Sequence, residues 1–271
     1  MQLAKVPGGN GWDAFSLDYT PDSPTDVVFT KQALTSYRQA FTFLWRLKRV
    51  EHSLTAVWRK HGTAARLLRT LRSDGTLHRC HLLRNEMIHF VYNMQYYLMH
   101  EVIECSWSEL LAGLDAAHDL DGLIAAHSSF LSAIATKALL GPENEPMRLS
   151  LKALFEAILG FAKAQDVLYM SLLEQKAASR QHAAAVAASA EAGEWGPAAE
   201  PPPVSVPPRF AQQLAASALE YEQRFATFFA QVTQHAALDL RFLSFRLDFN
   251  EYYESLAAAR AADEEAAALE P

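Results

Sequence analysis

The sequence predicts an all-α protein, an elongated bundle of about six long helices with an irregular N-terminal segment and a disordered loop rich in alanine and proline. Over most of the chain, apolar residues recur every three or four positions, which is the spacing of one helix face. Glycine and proline number only 11 and 12 among 271 residues, so long stretches contain no residue that interrupts a helix. No alternating pattern that would build a β-sheet is present.

The N-terminal half begins with an extended segment and continues as a long helix. Residues 1–25 are irregular and carry four spaced apolar anchors: Trp12, Phe15, Leu17 and Tyr19. A helix is predicted over 27–61, with Thr25 or Asp26 near its start and Gly62 at its end. Its apolar stripe consists of Leu34, Tyr37, Phe41, Leu44, Leu47, Val50, Leu54 and Val57.

The remaining helices are predicted over 77–111, 119–140, 151–172, 209–236 and 238–253. The strictest three-four spacing is typical of a helical seam and comprises Leu151, Leu154, Ile158, Phe161, Gln165, Leu168 and Leu172. Alanine and proline accumulate in 177–208, which we interpret as a disordered insertion whose alanine-rich start could prolong the preceding helix. The chain is thus predicted to form one partial domain over 1–258, followed by a disordered tail over 259–271.

Charge is unevenly distributed along the chain. Residues 31–84 hold 12 lysines and arginines against Glu51 and Asp74, a balance of +10, and the net charge of −7 leaves −17 for the rest. Such a basic segment is typical of a protein that binds an acidic partner or nucleic acid. It is equally compatible with a solvated face that pairs with the acidic segments. No recognisable nucleic-acid-binding motif surrounds the basic residues, so no nucleic-acid partner is predicted.

Targeting and disulfide signals are lacking in the sequence. No run approaches the roughly 18 apolar residues of a membrane span, and the N-terminus does not resemble a secretory signal. On one predicted helix, Cys80 and Cys105 would lie about 37 Å apart, too far for a disulfide. The sequence therefore favours a cytosolic or nuclear protein with reduced cysteines and no membrane partner.

The segment LRNEMIHFVYNMQYYLMHEVIECSW, residues 83–107, is dense in chemically active side chains. At 100° per residue, one face is a core stripe of Met87, Val91, Met94, Leu98, Val102 and Cys105. A separate polar stripe comprises Glu86, His89, Asn93, Tyr96, His100, Glu104 and Trp107. This polar stripe is interpreted either as a face packed inside the bundle, which we favour, or as a face offered to another protein.

Glu86-x-x-His89 has the spacing found in di-iron helical bundles, so a carboxylate and histidine metal site is the alternative function. Such a site needs a second pair, and Asp115 with His118 is the one candidate. The first pair points away from the core stripe, which counts against it. No phosphate-binding loop or nucleophile motif occurs. We therefore predict no catalytic residue, no metal ligand and no cofactor.

Four stretches resemble one known family: WDAFSLDYTPDSPTDVVFTKQALTSYRQAFTFLWRLKRVEHSLTAVWRKH, then LRNEMIHFVYNMQYYLMHEVIECSW, DLDGLIAAHSSFLSAI and RLDFNEYY. In this order they are similar to the C-terminal domain of the gamma-tubulin complex components. The resemblance implies an all-helical scaffold, not an enzyme, that binds gamma-tubulin and assembles with other gamma-tubulin complex components. It implies microtubule nucleation at microtubule-organising centres such as the spindle pole, and a chain that begins within the family's C-terminal domain.

Within that resemblance, the polar stripe and the basic segment lead to a hypothesis about the contact. We expect a partner-binding face for gamma-tubulin made of Glu86, His89, Asn93, Tyr96, His100, Arg46, Lys48 and Arg49.

Overall fold

A computed structural model of the chain describes residue 12 and residues 15–64, 75–193, 200, 203–235, 237–253 and 255. This part of the chain is helical and contains no β-strand, which confirms the predicted all-α class. The helices are α1 (Lys31–Ala64), α2 (Gly75–Tyr96), α3 (Cys105–Ala116), α4 (Leu120–Lys137), α5 (Glu145–Glu191), α6 (Pro208–Thr233) and α7 (Leu238–Leu247). A π-helical segment, Tyr97–Glu104, joins α2 to α3 without a break. Short 3-10 turns occupy Thr25–Val27 and Pro142–Asn144.

The chain divides into two compact units. The first, which we call unit A, comprises residues 1–51, 89–155 and 223–271. The second, unit B, comprises residues 52–88 and 156–222. Helices α1, α2, α5 and α6 each contribute residues to both units.

Helix α1 begins later and ends later than the sequence predicts. Its N-cap is Thr30, whose Oγ1 accepts a hydrogen bond from the Ala33 N–H at 3.2 Å, so neither Thr25 nor Asp26 caps it. At the other end, α1 passes through Gly62 to Ala64, because a glycine weakens a helix interior but does not prevent its continuation. The 3-10 turn Thr25–Val27 takes up the predicted starting position.

The N-terminal anchors divide into two packed residues and two exposed ones, all within unit A. The Trp12 ring lies 5.1 Å from the Trp45 ring, and the Trp45 Nε1–H donates to the Trp12 carbonyl at 2.9 Å. The Phe15 ring lies 4.6 Å from Trp45. Leu17 and Tyr19 are more than half exposed. The extended segment is therefore held on α1 mainly through Trp45.

Helix α4 starts as predicted and ends early. The Asp119 carboxylate accepts a hydrogen bond from the Gly122 N–H at 2.7 Å, so Asp119 is the N-cap of this helix. The helix stops at Lys137 and does not continue to Gly141. Leu139 adopts a left-handed conformation, with φ of 62°, and this reverses the chain before glycine and proline are reached.

The π-helical segment shifts the phase of the long helix by one residue. Up to and within this segment the predicted core stripe is correct, and Met87, Val91, Met94, Leu98 and Val102 are all buried. Cys105, the last predicted member, is exposed, and Ser106 is buried in its place. A π turn holds more residues than an α turn, so a wheel drawn at 100° per residue fails after it.

Helix α5 contains the predicted seam, and all of its members are buried. The helix continues to Glu191, so residues 177–191 are helical and the disordered insertion does not start at 177. Most of 194–202 and the predicted tail, 259–271, lie outside the described residues.

One stretch within Leu120–Glu191 reaches a mean hydropathy of 1.4 over 18 residues. By length and composition it could cross a membrane, contrary to the expectation that no run approaches that limit. Core helices of soluble proteins meet the same criterion, so the observation by itself assigns no span.

Candidate partner-binding surface

The polar stripe of α2 is not one uniform face. Glu86 is half-buried and belongs to unit B, whereas the stripe from His89 onward belongs to unit A. Asn93 is buried, and its amide donates to the His89 ring at 3.0 Å and to the His89 carbonyl at 3.0 Å. The His89 ring itself is exposed. Asn93 therefore orients His89 and is closed to a partner.

The stripe continues through Tyr96, which α7 covers on one side. The Arg246 guanidinium lies 3.7 Å from the centre of the Tyr96 ring, a cation–π contact. The His100 ring contacts the Tyr96 ring in a tilted arrangement with ring centres 4.5 Å apart, and its Nδ1 lies 2.7 Å from the Glu104 carboxylate. Both His100 and Glu104 are exposed, so this end of the stripe faces solvent.

One of the three predicted basic residues of α1, Lys48, is linked to α2 through Glu51. Arg46 and Lys48 are exposed, and Arg49 is half-buried. Lys48 pairs with Glu51 at 2.5 Å, and the Glu51 carboxylate also accepts a hydrogen bond from the Gln95 amide at 2.7 Å. Glu51 therefore connects Lys48 of α1 to Gln95 of α2, the residue that precedes Tyr96 in the chain. One section of the stripe is packed and another is exposed, and a partner-binding role for the exposed section stays a prediction.

The described residues offer no group of three or more His, Cys, Asp or Glu side chains that could hold a metal ion. Asp115 and His118, the second pair that a di-iron bundle would need, are both exposed, near the C-terminal end of α3. His100 and Glu104 form a single pair on the surface.

A surface that the sequence analysis did not identify lies on α7. Its leucines, Leu240, Leu243 and Leu247, are buried. On the opposite side lies what we call the phenylalanine face: Phe242, Phe245 and Phe249, which are 62%, 62% and 75% exposed. The Phe245 and Phe249 rings contact each other edge to face at 5.6 Å. Three exposed phenylalanines in eight residues form an apolar patch of the kind that marks an interaction site.

A sequence signal for this surface existed. Leu240, Leu243 and Leu247 are spaced as one helix face, and Phe242, Phe245 and Phe249 repeat the same spacing two residues later. A helix that is apolar on two faces must bury both, and a short helix at the end of a bundle has neighbours on one side only. The second face therefore predicts a partner.

Unit B contains a polar cluster of a different kind. The His61 ring stacks on Tyr169 at 3.3 Å, and the buried Arg84 guanidinium donates to His61 Nδ1 at 3.0 Å and to His81 Nδ1 at 2.9 Å. Tyr169 Oη lies 2.9 Å from His81 Nε2. Burial, reinforced by the Arg84 charge, lowers the pKa of His61 to about 3 and also lowers the pKa of His81. Both imidazoles are neutral at pH 7 and serve as acceptors for Arg84.

Comparison with known proteins gives the family. Residues 2–253 match the model of the gamma-tubulin complex component C-terminal family. The chain is 40% identical over 94% of its length to the Gamma-tubulin complex component 3 homolog of Xenopus laevis, and 39% identical over 94% to Gamma-tubulin complex component 3 of Homo sapiens. It is 35% identical over 92% of its length to Spindle pole body component alp6 of Schizosaccharomyces pombe. The chain spans 29% of the length of each of these curated relatives. On this evidence the chain belongs to the gamma-tubulin complex component family and corresponds to its C-terminal region.

Proposed function

We propose that this chain binds gamma-tubulin and acts as a scaffold portion of a complex, formed with other gamma-tubulin complex components, that nucleates microtubules at microtubule-organising centres. The names of the relatives, gamma-tubulin complex component and spindle pole body component, support this proposal. No chemical step is required of such a scaffold. It fixes the position of each bound subunit, so part of the entropy cost of bringing subunits together is met before a microtubule forms.

The observation that carries the proposal is the phenylalanine face of α7. Aromatic side chains are enriched at the centres of protein interfaces, where burial of one ring contributes a large share of the binding energy. Phe242 and Phe245 are each 62% exposed, so each ring has most of its surface left to bury. We place gamma-tubulin on this face.

We propose the residues predicted from sequence as the rim of this surface, and the contact between Arg246 and Tyr96 supports that placement. Arg246 lies on α7 beside the phenylalanine face and covers Tyr96, whose ring contacts the His100 ring. Glu51 links Lys48 to Gln95, next to Tyr96. We propose that His89, Tyr96, His100, Arg46, Lys48 and Arg49 form the polar border. Asn93 contributes by orienting His89. Glu86, which belongs to unit B, is a further proposed contact with gamma-tubulin.

The test is capture of purified gamma-tubulin by the chain carrying Phe242→Ser and Phe245→Ser. We expect binding to fall at least about tenfold, since each interface aromatic can contribute about 1–2 kcal/mol. Leu219→Ser is the matched control, because Leu219 is a 53% exposed apolar residue on α6. Full binding by the double variant would contradict the placement on α7. Failure of the unaltered chain to capture gamma-tubulin would contradict the function itself.

A further inference from the structure

A groove in unit A, which we call the basic groove, lies between one face of α1 and the first turns of α5. Its volume is about 440 Å³. The lining residues are Thr35, Arg38, Gln39, Thr42, Phe43, Arg46, Leu140, Arg148, Leu149, Lys152 and Phe155. They include three arginines and one lysine and no carboxylate.

Two other grooves among the described residues lack this concentration of charge. A second groove of unit A, about 280 Å³ in volume and lined by residues of α1 and α4, contains no lysine, arginine or carboxylate. A groove of similar size in unit B contains Arg79 as its one lysine or arginine. Helix packing elsewhere in the described residues therefore produces grooves of comparable kind without a cluster of lysines and arginines. The basic groove also adjoins the N-terminal end of α5, whose backbone carries partial positive charge.

Two of these arginines pair with exposed carboxylates that stand outside the lining. Arg38 pairs with Asp18 at 3.1 Å, with side chains 49% and 55% exposed. Arg148 lies 3.6 Å from Glu145, with side chains 39% and 61% exposed. Exposed pairs of this kind contribute about 0–1 kcal/mol, so an incoming carboxylate can exchange with them at little cost.

The floor of the basic groove is apolar. Phe43 and Phe155 are buried at 8% and 5% exposure, and Leu149 on its wall is 57% exposed. A ligand with charge alone, such as a free inorganic anion, would leave this apolar surface uncovered. A peptide with acidic residues on both sides of one apolar side chain would match the cations and cover the floor.

From this geometry we propose that the basic groove is a docking site for a short acidic peptide segment of a partner protein. The groove does not include the phenylalanine face of α7, and Arg46 is the residue that it shares with the proposed polar border. Thr35 to Arg46 is twelve residues of helix, and the two ends lie about 16 Å apart. An extended peptide of about five residues covers that length. The occupant is therefore a linear motif and not a folded domain.

The experiment measures fluorescence anisotropy of a labelled peptide of about six residues, aspartates and glutamates around one leucine, added to the full chain. Matched probes replace the acids by their amides, or the leucine by serine. We expect binding that weakens at higher salt, weakens strongly for the amide probe and weakens moderately for the serine probe. Equal binding of acidic and amide probes would overturn the proposal, as would tighter binding of a single-stranded RNA of the same length.

The matched variants lie on α5. Lys152→Glu alters the basic groove, whereas Lys163→Glu alters an exposed lysine of the same helix outside it. We expect Lys152→Glu to weaken the acidic peptide about tenfold or more and Lys163→Glu to change it less than about twofold. Equal effects would mean attraction by overall charge and would overturn the proposal. Because Lys152 is not part of the α7 surface, capture of gamma-tubulin by Lys152→Glu is expected to persist, which separates this proposal from the proposed function.

Discussion

Helices α5 and α7 use the same apolar spacing with opposite results. In α5 the seam from Leu151 to Leu172 is buried, and the opposite side exposes separate residues such as Val167 and Met170. In α7 one apolar face is buried and the other, the phenylalanine face, is open to solvent. Spacing identifies a helix face that needs to be covered, but the covering surface can come from the same chain or from a partner. The predictions below test this difference, ordered by their effect on the free energy of unfolding.

The largest effect is expected from Ile158→Ala in α5. Ile158 is fully buried, so its truncation leaves a cavity and loses apolar contacts. We expect the free energy of unfolding to fall by about 2–5 kcal/mol. Urea denaturation measures it, with Val167→Ala as the control on the same helix, because Val167 is 46% exposed. Equal losses for the two variants would show that the α5 seam does not carry the stability of this region.

A smaller effect is expected from acidification, through His61 stacked on Tyr169 of α5. The pKa of His61 is about 3 in the folded chain and 6.5 in the unfolded reference, so the unfolded state binds the extra proton. Stability is therefore full above pH 6.5 and is lost as the pH falls towards 3. Between pH 7 and pH 5 we expect a loss of about 2 kcal/mol from this residue.

His61→Phe isolates this effect. Phenylalanine keeps a ring against Tyr169 but cannot take up a proton, although it leaves Arg84 with one acceptor fewer. We expect a lower free energy of unfolding at pH 7 and a shallower decline towards pH 5 than in the unaltered chain. Urea denaturation at both pH values gives the two slopes. An unchanged slope would mean that His61 is not a neutral acceptor in the fold.

The third substitution is expected to raise the free energy of unfolding, not to lower it. Gln165 occupies a seam position of α5, is fully buried, and its amide has no hydrogen-bond partner among the described residues. A buried amide without partners is destabilising, and leucine has a similar volume without polar atoms. We expect Gln165→Leu to raise the free energy of unfolding by about 1 kcal/mol. A loss of stability in urea denaturation would indicate that a bound water satisfies the amide and that the seam is not purely apolar there.

Many features of the fold could be predicted from the sequence, and each prediction that was wrong has an identifiable physical reason. Seven seam positions of α5 were correct because a long, strictly spaced stripe has one way to be buried. Cys105 was misplaced because nothing in local spacing marks the π turn before it. Thr30 was missed as a cap because Thr25 and Asp26 are chemically equivalent candidates five and four residues earlier.

The site was less predictable than the fold. Asn93 and His89 are neighbours on one polar stripe, yet one is buried and the other exposed, since α-helical spacing does not say where a neighbouring helix ends. The phenylalanine face was overlooked because exposed and buried aromatics look alike in sequence. The basic groove combines Arg38 and Arg46 of α1 with Arg148 and Lys152 of α5, about a hundred residues away along the chain. Such a cluster is defined by packing and not by any local motif.

The smallest effect on stability is expected on α7, and it distinguishes the two kinds of apolar face within one helix. Phe245→Ser removes an exposed ring, so the free energy of unfolding should change by less than about 0.5 kcal/mol. Leu243→Ser, two positions earlier, places a hydroxyl at a fully buried site and should cost about 3 kcal/mol or more. If Phe245→Ser proved as destabilising as Leu243→Ser, the phenylalanine face would be packed within the chain and unavailable to gamma-tubulin. Because a near-neutral change in folding combined with a loss of gamma-tubulin capture cannot arise from unfolding, that pair of results assigns the second face of α7 to a partner.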